Sequence, residues 1–293
     1  MKKILLAASL GLVLQGHSAL AAEDLFSTYP VTHEVSLSTG DKVAMPFQVH
    51  NADATMVLGT ADITSLRSIL RKQGGVIPAE VSPSRGLVGI FMINYIDVDK
   101  AIGPYHEIFI SVLTNDKKKS ASNPLKSYLG LFKIGMPELG KFLSSSPNDV
   151  GFFALKLWVN NEVALAAGNE IWGFNKTMAD IQFQQGFNSK DIRVSDKDGD
   201  ILKASFGSLI PLAHLTSTQL DFMCTTPKSA TAPGQTTERA VSQSKSSTRL
   251  FGGSDYLVFN DGNKWGKMMN DMDFQPKSWQ DLKDLQMVIL DPK

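Results

Sequence analysis

The stretch Gly168–Ile181 of this 293-residue chain reads GNEIWGFNKTMADI, and it sets Lys176 behind small residues, two aromatics and an asparagine. An apolar, strand-like segment follows directly. A primary amine in such company suits addition to a carbonyl with loss of water, which gives an imine. The amine must be neutral to attack, and an ordinary lysine of pKa about 10.4 is neutral in only about one molecule in 2,500 at pH 7. Burial against residues such as Trp172 and Phe174 is one remedy, because desolvation lowers a lysine by roughly 3–5 units. The plain alternative for Lys176 is a solvated turn lysine, and for Trp172 and Phe174 it is a place in the core. A second stretch, Gly103-Pro104-Tyr105-His106-Glu107, puts a carboxylate at the head of the apolar run EIFISVL. Glu107 is there either a proton carrier or a strand-start carboxylate in a structural ion pair.

Other chemistries find no support. The histidines stand at 17, 33, 50, 106 and 214 without paired metal-ligand spacing, so no metal is expected. Asp196-Lys197-Asp198-Gly199-Asp200 opens like a calcium loop, but Ile201 stands where that loop needs Gly and Gly207 where it needs Glu. Neither G-x-S-x-G nor a phosphate-binding glycine loop is present. Lys+Arg and Asp+Glu are equal at 29 each, so no net charge steers the chain to nucleic acid or to an anionic membrane. The most basic cluster, Lys117-Lys118-Lys119, carries no interleaved aromatic residue and reads as a solvated turn. Cys224 is the only cysteine, which excludes an intrachain disulfide and leaves stability to packing.

Strands have to position these residues. Val88–Val98, Glu107–Leu113, Gly151–Val159 and Met178–Gln184 are short, rich in aromatic and β-branched residues, and bounded by turn formers, as antiparallel strands are. Asp191–Phe206 is a hairpin around Asp198-Gly199. Asp62–Gln73 has helical spacing at Ile63, Leu66, Ile69 and Leu70 and ends before Gly74-Gly75; Glu162–Trp172 is a second short helix capped by Asn160 or Asn161. The fold class is α+β, mostly antiparallel β and barrel-like, rather than alternating β-α units. The segment 225–248 is rich in Ser, Thr, Ala, Gln and Pro and nearly without large apolar residues, and is expected to be a long flexible loop.

At the N-terminus, Met1-Lys2-Lys3 is followed by the apolar run Ile4–Leu14 and by Ala19-Leu20-Ala21-Ala22. Residues 1–22 therefore read as a signal peptide cleaved near Ala21/Ala22, with a periplasmic or secreted product and no membrane anchor. Residues 23–293 are then a single domain.

In order along the chain, a strand, GPYHE, a strand, ALAAGNEIWGFNK and a further strand resemble the acetoacetate decarboxylase-like family. That family shows a Y-x-E element and, further on, a small-residue helix, Gly-(Arg)-Glu, an aromatic, Pro and the catalytic lysine. The resemblance implies a double-sheet, cone-shaped barrel with a few short helices. It also implies a carbon-carbon lyase of decarboxylase or aldolase type, working without a cofactor on a small keto or other carbonyl compound. Lys176 falls on the Schiff-base lysine, Glu107 on the active-site glutamate, and Gly168 and Glu170 on the Gly and Glu of the lysine motif. Tyr105, Trp172, Phe174 and Asn175 are assigned to the substrate pocket. In this family a desolvated site or a neighbouring cation makes the lysine reactive. Here Asn169 replaces the usual Arg, Asn175 the Pro, Thr177 a second lysine, and Ala52 an arginine near the substrate carboxylate. These departures admit the alternative of a non-catalytic, small-ligand-binding relative. The sequence leaves a homo-oligomer open.

Overall fold

Side chains alternate between the two faces of a strand, and in the long strands here both faces are buried. The computed structural model describes residues 25–72, 77–115, 150–186, 189–207, 215–227 and 235–291. The proposed signal at 1–22, Gly74-Gly75 and the Lys117–Lys119 cluster lie outside them. In chain order the first half holds α1 (Leu25–Thr28), β1 (His33–Ser36), β2 (Lys42–Met45), β3 (Phe47–Asp62), α2 (Ile63–Lys72), β4 (Ile77–Pro78), β5 (Glu80–Ser82), β6 (Arg85–Val98) and β7 (Tyr105–Asn115). The second half holds β8 (Val150–Val159), α3 (Glu162–Glu170), β9 (Lys176–Met178), β10 (Asp180–Gln185), β11 (Ser189–Asp196), β12 (Gly199–Gly207), β13 (Leu215–Pro227), β14 (Gln235–Leu250), β15 (Tyr256–Phe259), α4 (Lys264–Asp271) and β16 (Gln275–Ile289).

A ten-stranded sheet runs β4-β7-β6-β3-β16-β14-β13-β8-β9, with β5 on β6, and β8 also pairs with β7. The pairings therefore lead back to β7. A four-stranded sheet, β10-β11-β12-β15, lies apart. One face of the large sheet carries Val57, Val88, Ile90, Ile108, Ile110 and Trp158, packed with Leu66 and Leu70 of α2, Ile192, Val194 and Phe206 of the small sheet, and Met269 of α4. The other face carries Ala54, Ile93, Tyr95, Tyr105, Leu157 and Leu282, packed against Ala164 and Ala167 of α3.

The architecture is the expected α+β, mainly antiparallel class with few short helices. Two pairings depart from antiparallel: β8 runs parallel to β9 and to β13. The run Met178–Gln184 is not one strand. The chain pairs with β8 through Lys176–Met178, passes Ala179, whose N–H donates to the Val159 carbonyl at 2.9 Å, and enters the small sheet as β10. The expected flexible loop at 225–248 is corrected as well. Residues 225–227 finish β13 and 235–248 belong to β14, which pairs with β13 on one side and β16 on the other. Its buried positions Ser242, Ser244 and Ser247 are small, and backbone pairing on both edges supplies what large apolar side chains do not. Residues 228–234 lie outside the described set.

Candidate active site

Lys176 is the first residue of β9, opposite Leu157 of β8. The sequence delivers it there through α3, whose N-cap Asn161 accepts from the Ala164 N–H at 2.9 Å. After α3, Gly173 takes φ +70°, a left-handed turn that suits glycine. Asn169 then holds the lysine main chain: its Oδ1 accepts from the Lys176 N–H at 2.8 Å and its Nδ2 donates to the Lys176 carbonyl at 3.4 Å. The aliphatic stem lies across Gly168, where a Cβ would stand 2.2 Å from the lysine Cε and 2.9 Å from Nζ. Only a residue without a side chain lets Lys176 run past the helix.

Glu107 comes from β7, paired with Ile93 on one side and Val159 on the other. Lys176 Nζ donates to Glu107 Oε2 at 2.9 Å, and their side chains are 7% and 6% exposed. Loss of either partner from a buried pair leaves a lone charge and typically costs about 3–5 kcal/mol. Tyr105, two residues before Glu107 on the same face, stacks on Tyr95 with ring centroids 4.3 Å apart. Burial, then the neighbouring Tyr95 and the Glu107 charge, push the Tyr105 phenol well above its ordinary range, so it keeps its proton beside the carboxylate.

These groups line a cavity of about 80 Å³. Among the described residues its remaining wall is apolar, with Phe47, Ala54, Phe91, Phe109, Leu157 and Leu285 among the lining side chains, and its charged members are Glu107 and Lys176. Trp172 and Phe174 line it too, 5% and 9% exposed. Trp172 also donates its indole N–H to the Leu290 carbonyl at 3.1 Å, so it serves core and pocket at once. The arrangement puts an amine, a carboxylate and a phenol together against apolar walls, a combination that suits imine chemistry.

A family model for acetoacetate decarboxylase matches residues 33–249. The chain belongs to the acetoacetate decarboxylase family. Solved structures agree on the fold. An acetoacetate decarboxylase from Legionella pneumophila subsp. pneumophila str. Philadelphia 1 superposes with TM-score 0.53 at 16% identity, covering 99% of this chain and 97% of that one. Another acetoacetate decarboxylase structure gives TM-score 0.51 at 15% identity over 84% and 87% of the two chains. No curated protein matches the sequence.

Against the acetoacetate decarboxylase motif, the departures now have places. Asn175 is corrected: it is exposed and absent from the cavity wall, because the residues flanking the inward Phe174 and Lys176 point outward. Thr177 is exposed for the same reason. Asn169 serves the lysine backbone, as above, and Glu170 leaves the cavity to accept from the Ser38 N–H at 2.9 Å and from its hydroxyl. Ala52 is fully buried on the cavity side of β3. Neither of two candidates among the described residues replaces the arginine: His50 is exposed against Phe26, and Arg67 of α2 pairs with Glu80 of β5.

One residue that the sequence reading passed over is Lys156. It is 1% exposed on β8, donates to the Asn175 carbonyl at 3.1 Å, and lies over the rings of Trp158 and Trp265. Burial, with Lys264 adding to it, lowers its pKa to about 8. The signal was in the strand itself, since GFFALKLWV has a single charge in an apolar run. Among the described residues no group of His, Cys, Asp and Glu is arranged to hold a metal, and no helix is long and apolar enough to cross a membrane.

Proposed function

We propose that the protein is an exported Schiff-base-forming lyase that acts through Lys176 on a small keto or other carbonyl compound. The observation that carries this reading is the buried Lys176–Glu107 pair, 2.9 Å apart in an otherwise apolar cavity. Proton transfer from the ammonium to Glu107 leaves a neutral amine, which attacks the carbonyl carbon. Glu107 gives that proton to the carbonyl oxygen, takes a second from the nitrogen and delivers it to the resulting hydroxyl, which leaves as water, so that a protonated imine and the Glu107 carboxylate remain. The imine accepts the electron pair freed when a bond at the neighbouring carbon breaks, with CO2, a proton or a carbon fragment as the other product. On the CO2 route a solvent proton delivered through Glu107 quenches the carbon, and water hydrolyses the imine to restore Lys176. Tyr105, held protonated, orients the carboxylate.

The cavity lining favours a neutral carbonyl compound with an apolar tail over a 3-keto acid. A substrate carboxylate there would be buried with Lys176 as its sole cation among the described lining residues, and a buried charge needs a partner of its own. The test compares CO2 release from acetoacetate with imine trapping across neutral aldehydes and ketones. Trapping of the neutral compounds with poor acetoacetate turnover is expected. A kcat/KM for acetoacetate above about 10⁴ M⁻¹s⁻¹ would overturn the preference. The same missing cation favours, as a second reading, a ligand-binding relative without turnover, which the absence of any trapped adduct would support.

Export rests on the residues of the N-terminal segment. N-terminal sequencing of material from the periplasm or medium is expected to begin at Ala22 or Glu23, and an intact Met1 form recovered from the cytoplasm would count against it.

A further inference from the structure

Back to back with the active-site cavity, across the same sheet, lies a second one of about 300 Å³. Strand alternation separates them: Ala54 and Leu282 face the first, while their chain neighbours Asp53, Asp281 and Lys283 face the second. The small sheet supplies Phe183, Lys190 and Phe206, and β14 and β16 supply Arg249 and Trp279. The two cavities differ in kind, apolar in one case and charged in the other.

Most charges of the second cavity are matched. Lys190 Nζ donates to Asp281 Oδ1 at 2.6 Å and to Thr55 Oγ1 at 3.0 Å, and Lys283 Nζ to Asp53 Oδ2 at 2.8 Å. Arg249 is the remainder. Its Nη1 donates to the Gly207 carbonyl at 2.8 Å and its guanidinium lies 4.8 Å from the Trp279 ring centroid, but it has no carboxylate partner among the described residues. Its Nε is buried without a hydrogen-bond partner. Among the described residues the wall thus carries one cation in excess, stacked on an aromatic ring, with Phe206 5.1 Å from Trp279 continuing the aromatic surface. A guanidinium in a concave, partly dry setting recognises carboxylate oxygens with directed N–H donors, and the aromatic wall accepts a flat apolar body.

We propose that this second cavity binds a small aromatic or similarly planar monocarboxylate, held at Arg249. The site is independent of Lys176 and of the reaction assigned to it. One negative charge balances the excess cation, whereas a multiply charged phosphate would meet Asp53 and Asp281 as well.

The test titrates the full-length Lys176→Met protein, in which imine formation cannot contribute, with benzoate, its neutral counterpart benzamide, and inorganic phosphate. The indole N–H of Trp279, which donates to Asp255 Oδ2 at 2.9 Å, reports the second cavity by NMR, and that of Trp172 reports the first. Benzoate is expected to shift the Trp279 signal saturably, with benzamide and phosphate at least about tenfold weaker. Arg249→Gln should weaken benzoate at least about tenfold. Lys283→Gln is a second variant at a half-exposed position, 43% exposed, safe for the fold, and should weaken it several-fold. Benzoate binding unchanged in Arg249→Gln or in Lys283→Gln, a shift confined to Trp172, or phosphate or benzamide binding as well as benzoate would each overturn the proposal.

Discussion

Replacing Gly168 with alanine adds one methyl group, and the structure fixes where it goes. The new Cβ would stand 2.2 Å from Lys176 Cε, 2.4 Å from Cδ and 2.9 Å from Nζ, where ordinary contacts begin near 3.4 Å. The lysine stem must then retreat by about 1 Å or more. Its main chain cannot follow, because Asn169 holds both the N–H and the carbonyl of Lys176 and β9 is paired to β8. The displacement therefore falls on the side chain and breaks the 2.9 Å contact with Glu107. Overpacking of this size typically costs about 1–3 kcal/mol of stability, and a misplacement of about 1 Å costs roughly 100-fold in rate. Thermal unfolding should show a modest loss with native circular dichroism. The rate of borohydride-trapped adduct formation with a reactive ketone should fall about 100-fold. Gly168→Ala with wild-type trapping rates would refute the placement of Lys176 across this glycine.

Lys156→Met should stabilise the protein at neutral pH by about 2 kcal/mol. Burial lowers Lys156 from 10.5 to about 8, a penalty of about 3 kcal/mol, less about 1 kcal/mol for the lost bond to Asn175. With the folded pKa below the unfolded one, the penalty is complete below pH 8 and is relieved as pH rises towards 10.5, where the unfolded chain binds more protons. Urea unfolding of wild type should therefore show a rise in stability across that window that Lys156→Met lacks. Glu107→Gln keeps the shape of the site but removes its proton carrier. Steady-state turnover should fall about 10²–10⁴-fold, and trapped adduct should form on Lys176 more slowly as well, since Glu107 serves imine formation too; single-turnover mass measurements will read both.

The parts of the fold readable from sequence were those whose signal is local. The Asp198-Gly199 turn needs a positive φ, and Gly199, the first residue of β12, sits at +108° opposite Asp196 of β11. Ile63, Leu66 and Leu70 mark one buried face of α2. What depends on distant partners was hidden. β14 looks too polar to order because its stability comes from pairing with β13 and β16, which composition does not reveal. In the site, Lys176 and Glu107 were legible as motif positions, and the structure brings them together over 69 residues of sequence. Asn175 was misplaced into the pocket by proximity in sequence, whereas it is exposed between the buried Phe174 and Lys176 in the stretch that leads into β9. The clamp that Asn169 forms on Lys176 could not be anticipated, since a change from Arg to Asn suggests loss before it suggests a different bond.

The most direct measurement of the central claim is borohydride reduction of the protein with a panel of small ketones, aldehydes and keto acids, followed by mass mapping of the modified peptide. The account predicts one reduced adduct per chain, on Lys176, absent from Lys176→Met and Lys176→Arg proteins that keep the wild-type fold. Adducts that persist in Lys176→Met, or that map to other lysines in wild type, would contradict it.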